Sequence, residues 1–204
     1  MIAIIDYGLG NVRAFANVYN RLNIPVLIAR RPDELEGAEK IILPGVGAFD
    51  QAMEFLEKSG LRDMLNKKVH QARVPVLGVC VGMQMLADSS EEGTRSGLGW
   101  IGGEVKKFSA LTGTGTFRVP HMGWNNVKPR GRTGLMNGID TSSLFYFLHS
   151  YYFKTKSQDH VIGVTDYYGE FACAVASGNI YGVQFHPEKS HGWGARLLEN
   201  FAKL

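Results

Sequence analysis

The sequence predicts an α/β fold in which helices flank a mostly parallel central sheet, with an added antiparallel section in the second half. Over residues 1–90, short apolar segments alternate with segments whose apolar residues recur at helical spacing. Two of the apolar segments end in glycine-containing turns, at 6–11 and 44–47. Strands that alternate with helices form parallel sheets, whose ligands bind outside the carboxyl ends of the strands. We therefore expect both glycine turns at one edge of the sheet, beside any functional site.

The first half of the chain is predicted to contain four strands connected by helices. Residues 49–71 have the apolar spacing of helices that are interrupted at Ser59-Gly60, and helical spacing returns from Val81. The turn at 6–11 carries only two glycines, which makes it a poor dinucleotide-binding fingerprint. The predicted strands are 2–5, 25–29, 40–43 and 76–80, and the first helix spans 12–22.

The second half is rich in glycine, which breaks the chain into short pieces beyond Ala87. This texture predicts antiparallel strands and loops up to about Phe171. A last strand at 180–185 leads into His186-Pro187-Glu188, and an amphipathic helix at 195–204 follows. The sequence contains no internal repeat or linker, so residues 1–204 are expected to form one domain. The strand candidates between these points are 104–108, 124–127, 144–149, 161–165 and 172–176.

Composition and charge exclude several classes of function. The net charge of +3 is spread along 204 residues without a Lys/Arg block, so nucleic acid is not expected as a partner. The apolar segment at 2–5 ends at Asp6, too short for a signal peptide, and no apolar run is long enough to span a membrane. Cys80 and Cys173 are not in metal-ligand spacing and are expected to be reduced thiols. We therefore expect a cytoplasmic protein without a metal site.

Cys80 is the candidate nucleophile, because it lies where the predicted strand 76–80 changes to helical spacing. A side chain at such a turn points out of the carboxyl edge of the sheet. Gly78 and Gly82 flank Cys80 and remove the Cβ atoms that would clash in a sharp turn, as in a nucleophile elbow. A lone cysteine is more often a small buried apolar residue. The two glycines and the turn favour the nucleophile.

His186 is the best candidate for the base that a catalytic thiol needs. It follows a strand that is expected to lie in the same sheet as the Cys80 strand, and Glu188 follows two residues later as a candidate to orient the imidazole. His149 also lies at a strand end and is the second candidate. The backbone N–H groups of Val81 and of Gly45, Val46 and Gly47 are candidate donors to an oxyanion. The other histidines are His70, His121, His160 and His191.

Two motifs together resemble the class I (triad) glutamine amidotransferase family: Gly-Val-Cys-Val-Gly-Met-Gln at 78–84 and the distal His186-Pro187-Glu188. Within that family, other segments resemble the glutaminase subunits of imidazole glycerol phosphate synthases, and the likeness runs from Met1 to Leu204. The resemblance implies a flavodoxin-like class I glutaminase fold. The segments that carry the closer likeness are 6–11, 44–47, 120–125 and 146–151.

The resemblance implies roles for particular residues. Cys80 would be the nucleophile, His186 the acid and base, and Glu188 the group that orients His186. Glutamine would be hydrolysed to glutamate without a cofactor, and the ammonia would pass to a (β/α)8-barrel synthase subunit in a heterodimer. The residues implied to hold the substrate are Gln84, Glu92, Ser150 and Tyr151, with Gly47 as a further contact, and those implied at the partner interface are Trp124, Tyr146 and Lys189.

Three alternatives remain open at the level of sequence. A paralogous glutaminase subunit could serve a different synthase, such as one that amidates a surface-polysaccharide sugar, because 112–116 and 191–194 do not match the histidine-pathway pattern. A glutaminase that serves pyridoxal phosphate synthesis is disfavoured by the segments 44–47 and 121–125. The intact Cys80 and its candidate partners argue against a non-catalytic flavodoxin-like scaffold. The movable glycine loop suggests low activity before a partner docks.

Overall fold

Strands and helices alternate through the first half of the chain, as the sequence predicts. The computed structural model describes residues 1–108, 118–131 and 133–204, so the segment 112–116 lies outside the described residues. The elements are β1 (Ile2–Ile5), α1 (Val12–Arg21), β2 (Val26–Ala29), β3 (Lys40–Gly45), α2 (Phe49–Lys58), α3 (Arg62–Asn66), β4 (Val76–Cys80) and α4 (Val81–Gln84), with single turns of 3₁₀ and π helix at Pro32–Leu35 and Lys67–Gln71.

The second half consists mainly of short strands, again as predicted. A helix closes the chain, and within the described ranges no helix is both long and apolar enough to cross a membrane. The elements are β5 (Ser89–Ser90), β6 (Gly103–Lys107), β7 (His121–Asn126), β8 (Lys128–Pro129), β9 (Leu144–His149), β10 (Tyr151–Thr155), β11 (Val161–Asp166), β12 (Glu170–Ser177), β13 (Ile180–Val183) and α5 (His191–Lys203), with 3₁₀ turns at Gly134–Met136, Gln158–His160 and Pro187–Lys189.

One large sheet carries the core. Among the described strands, eight form this sheet in the order β2-β1-β3-β4-β13-β12-β11-β8. The first five are parallel to their neighbours, and the last three are antiparallel. Strands β3 and β4 are almost entirely buried, as expected for a parallel sheet with both faces covered. Strands β10, β6 and β5 form a smaller sheet, and β7 pairs with β9 in an antiparallel ribbon.

Two of the described elements begin three or more residues before their predicted starts. The last helix begins at His191 and not at Ala195. The glycines at 192 and 194 have low helix propensity, so the sequence does not predict a helical first turn there. Gly194 is needed there, since a Cβ would overlap the carbonyl oxygen of Pro187. Strand β7 begins at His121, three residues before the predicted start, because it pairs along its whole length with β9. Strands β5, β8 and β10 were not predicted.

Close packing of backbone explains the glycines on either side of Cys80. A Cβ at Gly82 would overlap the carbonyl oxygen of Leu43 in β3, and a Cβ at Gly78 would overlap the carbonyl of Gly82. A Cβ at Gly45 would meet the amide of Gly82. These glycines therefore allow α4 to lie directly on β3 and β4, and the sharp turn after Cys80 depends on them.

We expect the substitution Gly82→Ala to lower the free energy of unfolding by about 1–3 kcal/mol, because the new methyl group forces α4 away from β3. Denaturant unfolding measures the change. Gly37→Ala is the matched control, since a Cβ at Gly37 has no neighbour within 4 Å and leaves the packing unchanged. Equal stability of the two variants would show that the close contact of α4 with β3 is unimportant.

Candidate active site

Cys80 ends β4 in a strained backbone conformation. Its φ of 56° and ψ of −113° lie outside the regions that residues with a side chain prefer, and the side chain is almost fully buried. The next residue, Val81, begins α4. Strain of this kind persists only where surrounding packing imposes it, and it clusters at functional sites. The turn aims the thiol at the carboxyl edge of the sheet.

His186 reaches the same edge because β13 runs parallel to β4. Val183 is paired with Val79, so the chain leaves both strands at the same level. The imidazole and the side chain of Cys80 line the same cleft and interact electrostatically. Its Nδ1 lies 2.9 Å from Oε1 of Glu188, and both side chains are buried. The carboxylate can only accept, so Nδ1 carries a proton and Nε2 is left for the thiol.

The two neighbours of His186 favour its charged form. Burial alone would lower the pKa of His186, but the interactions with Cys80 and Glu188 outweigh it and raise the pKa to about 10. At neutral pH the imidazole is therefore protonated beside the sulfur. An imidazolium next to a thiol stabilises the nucleophilic thiolate and can later give a proton to a leaving group.

A cleft of about 300 Å³ opens onto Cys80. It contains the side chains that the sequence analysis assigned to substrate binding. Gly45 lies in β3 and does not line the cleft, and Glu188 lies behind His186. The lining residues are Val46, Gly47, Cys80, Val81, Gln84, Glu92, Pro120, Leu148, His149, Ser150, Tyr151, His186 and Lys189.

Hydrogen bonds fix two of the polar side chains in the cleft. Gln84 donates through Nε2 to the Tyr151 carbonyl at 3.2 Å and to Oε1 of Gln184 at 3.1 Å. Glu92 accepts a hydrogen bond from the backbone N–H of Phe49, at the start of α2, with a distance of 2.8 Å. Both side chains are thus held in place before any ligand binds.

Sequence analysis missed two residues that support the site. Tyr7 is buried and donates through its hydroxyl to the carbonyl of Pro44 at 2.8 Å, so it holds the glycine loop. Burial, together with the charge of Cys80, raises the pKa of this phenol. Gln184 points Nε2 at Sγ of Cys80 from 3.8 Å. Strand periodicity could have found Gln184, because it precedes His186 by two residues and so shares its side of the chain.

Among residues 1–108, 118–131 and 133–204, no group of three or more His, Cys, Asp or Glu side chains is arranged to hold a metal ion.

Comparison with known proteins identifies the family. The family described as glutamine amidotransferase class-I matches residues 3–204. The chain belongs to this family. The predicted resemblance to class I glutamine amidotransferases is thus confirmed.

Full-length relatives of this amidotransferase carry a more specific name. A protein of Bdellovibrio bacteriovorus is 56% identical over 204 residues, with all of both chains covered, and is named imidazole glycerol phosphate synthase subunit HisH. A protein of Leptospira interrogans with the same name is 52% identical, again with all of both chains covered. A Pseudomonas aeruginosa relative, 46% identical with full coverage of both chains, is named subunit HisH 2. The likeness to these subunits extends over the entire chain.

Solved structures confirm the predicted fold. A structure described as glutamine amidotransferase superposes with a TM-score of 0.76 at 19% identity, covering 100% of this chain and 99% of the other. The structure of PurLQS from Thermotoga maritima gives 0.75 at 17% identity, covering 99% and 96%. At these identities the likeness establishes the fold alone.

The ribbon of β7 and β9 presents an apolar outer face beside the cleft of this amidotransferase. Trp124 is 48% exposed, and its ring lies 5.9 Å from that of Tyr146. Nζ of Lys189 lies 5.6 Å above the Tyr146 ring. The three residues predicted at a partner interface are therefore neighbours. The other exposed apolar side chains of this ribbon are Met122, Leu144 and Leu148.

Backbone hydrogen bonds connect this ribbon to the turn that carries His186. The N–H of His186 donates to the Tyr146 carbonyl at 2.9 Å, and the N–H of Tyr146 donates to Oγ of Ser190 at 3.0 Å. The carbonyl of Leu148, also in β9, lies 3.8 Å from Sγ of Cys80. A shift of β9 would therefore move atoms that touch both His186 and Cys80.

Proposed function

We propose that this amidotransferase hydrolyses glutamine at Cys80 and delivers the ammonia to a synthase partner that makes imidazole glycerol phosphate. The observation that carries the proposal is the buried array of Cys80, His186 and Glu188, of which Cys80 and His186 line the cleft. The full-length relatives named as subunits of that synthase support the choice of pathway.

In the first half of the reaction, the Cys80 thiolate attacks the carboxamide carbon of glutamine. The carbonyl oxygen becomes an oxyanion, which accepts hydrogen bonds from backbone N–H groups of Val81 and of Val46 and Gly47 in the loop after β3, each worth about 2.7–4 kcal/mol in comparable sites. The C–N bond then breaks, and protonated His186 gives its proton to the leaving nitrogen. Ammonia and a glutamyl thioester result.

In the second half, water hydrolyses the thioester. His186, now neutral, takes a proton from the attacking water, and the C–S bond breaks to return the Cys80 thiolate and release glutamate. Glu188 holds the imidazole in one orientation and one tautomer through both halves. The same array of groups therefore serves both steps.

The polar side chains of the cleft hold the glutamine backbone. Glu92 is the anionic partner for the substrate ammonium group, and Gln84, Ser150 and Tyr151 provide hydrogen-bonding groups around it. Gly47, in the left-handed region with φ of 88°, borders the same space. The charge of Glu92 thus favours an amino acid over a simple amide.

Free ammonia in neutral water becomes protonated and loses its nucleophilicity, so the product needs a protected route. We infer that the outer face of the β7–β9 ribbon docks a (β/α)8-barrel synthase subunit, which covers the cleft and receives the ammonia in a heterodimer. The exposed apolar side chains of this face and the adjoining Lys189 have the composition of an interface centre with a charged rim.

A glutaminase assay tests the function. Glutamate release from glutamine is measured for the chain alone, with the imidazole glycerol phosphate synthase barrel of its own organism, and with barrels that amidate other substrates. We expect low release by the chain alone and a large increase with the first barrel. Stimulation only by another barrel would assign the chain to a different synthase, and no release in any pairing would exclude a glutaminase.

Trp124→Ala is expected to weaken binding of the barrel subunit by about 30-fold or more, because exposed aromatic side chains at interface centres contribute most of the affinity. Lys189→Glu should weaken binding too, through loss of the charge above Tyr146. Isothermal titration calorimetry measures both. Lys203→Glu is the control, since Lys203 lies at the exposed end of α5. Unchanged binding by both test variants would place the docking surface elsewhere.

A further inference from the structure

Two buried histidines face each other across the β7–β9 ribbon. His121 and His149 are paired in the register of the two strands, on the face opposite to Trp124. Nδ1 of His121 lies 3.0 Å from Nε2 of His149. The ring of His121 is stacked between Phe147, at 4.6 Å, and Tyr167, at 4.0 Å. The pair is therefore rigidly held, and neither histidine takes part in the reaction steps described above.

The partners of the pair determine which nitrogens carry protons. Nδ1 of His149 lies 2.8 Å from the Tyr151 carbonyl, which can only accept, so Nδ1 carries the proton and Nε2 is the acceptor. His121 must then donate through Nδ1, which leaves its Nε2 to accept from the side-chain amide of Asn125 at 3.2 Å. All four ring nitrogens are thus used with both rings neutral.

Burial keeps both rings neutral in the physiological range. It lowers the pKa of His121 to about 4. The pKa of His149 is lowered to about 3, mainly by burial and in smaller part by the nearby His121 and His186, while the hydrogen bond to the Tyr151 carbonyl acts in the opposite direction. A histidine that stays neutral and has both nitrogens engaged does not carry protons to and from a substrate. Its contribution is to the placement of its hydrogen-bond partners.

The Tyr151 carbonyl connects the pair to the cleft. It accepts from His149 and also from Nε2 of Gln84, which donates its second N–H to Gln184. With both N–H groups of Gln84 engaged, the amide has one orientation, and its Oε1 is left as an acceptor in the cleft. The other end of Gln184 points at Cys80. One series of hydrogen bonds therefore runs from Asn125 to the nucleophile.

We propose that His121 and His149 are positioning residues of the glutamine site, which hold the Tyr151 carbonyl so that Gln84 presents Oε1 to an N–H group of the substrate. This inference rests on the proposed glutaminase function. It assigns substrate affinity to a pair of residues of which only His149 borders the cleft. The pair takes no part in bond making or breaking.

The test compares two substitutions of His149 in the complex with the barrel subunit. In His149→Leu the donor to Tyr151 is lost, and the KM for glutamine should rise by about tenfold with a smaller change in kcat. In His149→Asn the side-chain amide can donate from nearly the position of Nδ1, so most of the affinity should return. Phe145→Leu is the control, because Phe145 is fully buried on the same face of β9 and has no polar role.

The unfolding temperature of each variant is measured alongside the kinetics. If the role of His149 were purely structural, KM would rise in proportion to the loss of stability in every variant. Phe145→Leu and His149→Leu would then have similar KM values, and His149→Asn would not restore the affinity for glutamine. That pattern, or an unchanged KM in His149→Leu, would overturn the proposal while leaving the glutaminase function intact. A wild-type complex that releases no glutamate would overturn both the glutaminase function and the positioning role. The two failures can therefore be told apart.

Discussion

Cys80→Ala is expected to abolish glutamine hydrolysis, with a loss on the order of 10⁴- to 10⁶-fold in kcat, because removal of a covalent nucleophile leaves only binding and oxyanion stabilisation. Binding of the barrel subunit should be retained, since the thiol is buried and does not form part of the protein surface. Glutamate release and titration calorimetry measure the two properties on the same preparation.

Cys173→Ala is the matched control for Cys80→Ala. Cys173 is fully buried in β12, and burial raises the pKa of its thiol, so it stays protonated and unreactive. This variant should hydrolyse glutamine at the wild-type rate. Persistent hydrolysis in Cys80→Ala would show that another residue is the nucleophile.

Glu188→Gln is expected to lower kcat by about 10³- to 10⁴-fold, because an amide can hold His186 in the wrong tautomer and cannot stabilise the imidazolium. The kinetics of glutamate release measure the loss. Glu199→Gln, at a half-buried carboxylate that is paired with Lys203 in α5, is the control and should have wild-type activity. Near-normal activity of Glu188→Gln would remove Glu188 from the reaction.

Glu188→Gln should also change how the free energy of unfolding depends on pH. The pKa of His186 is raised from 6.5 to about 10 in the folded protein, so its protonation stabilises the fold fully below about pH 6.5. This contribution is lost as pH rises towards 10. Without the hydrogen bond and charge of Glu188, the pKa of His186 falls, and the decline in stability over that range becomes shallower. Denaturant unfolding at several pH values measures the difference.

The sequence was sufficient to predict the parallel half of the fold, because its strands are short buried apolar runs. The segments 2–5, 40–43 and 76–80 all became strands of the main sheet, and β3 continues two residues further, to Gly45. The start of α5 could not be predicted, since glycine at 194 is required by contact with Pro187 and not by helix propensity. That contact is visible only in three dimensions.

The candidate site was accessible to sequence reasoning where chemistry and strand ends coincide. Cys80 and His186 both follow buried strands, so their proximity could be expected from topology. Tyr7 and the His121–His149 pair could not be found in this way. The hydroxyl of Tyr7 donates a hydrogen bond to a carbonyl 37 residues away in the chain. The two histidines become hydrogen-bond partners only through the register of β7 with β9. Local pattern carries no information about such long-range pairings.

The alternation of side chains in the β7–β9 ribbon places the residues proposed for docking on one face and the histidines proposed for positioning on the other. Even-numbered positions such as Trp124 and Tyr146 face outward, and odd-numbered ones such as His121 and His149 face inward. A single inserted or deleted residue within β7 would exchange the faces, burying the tryptophan and exposing the histidine. The protein should therefore tolerate point substitutions on the outer face of the ribbon far better than insertions or deletions within β7 or β9.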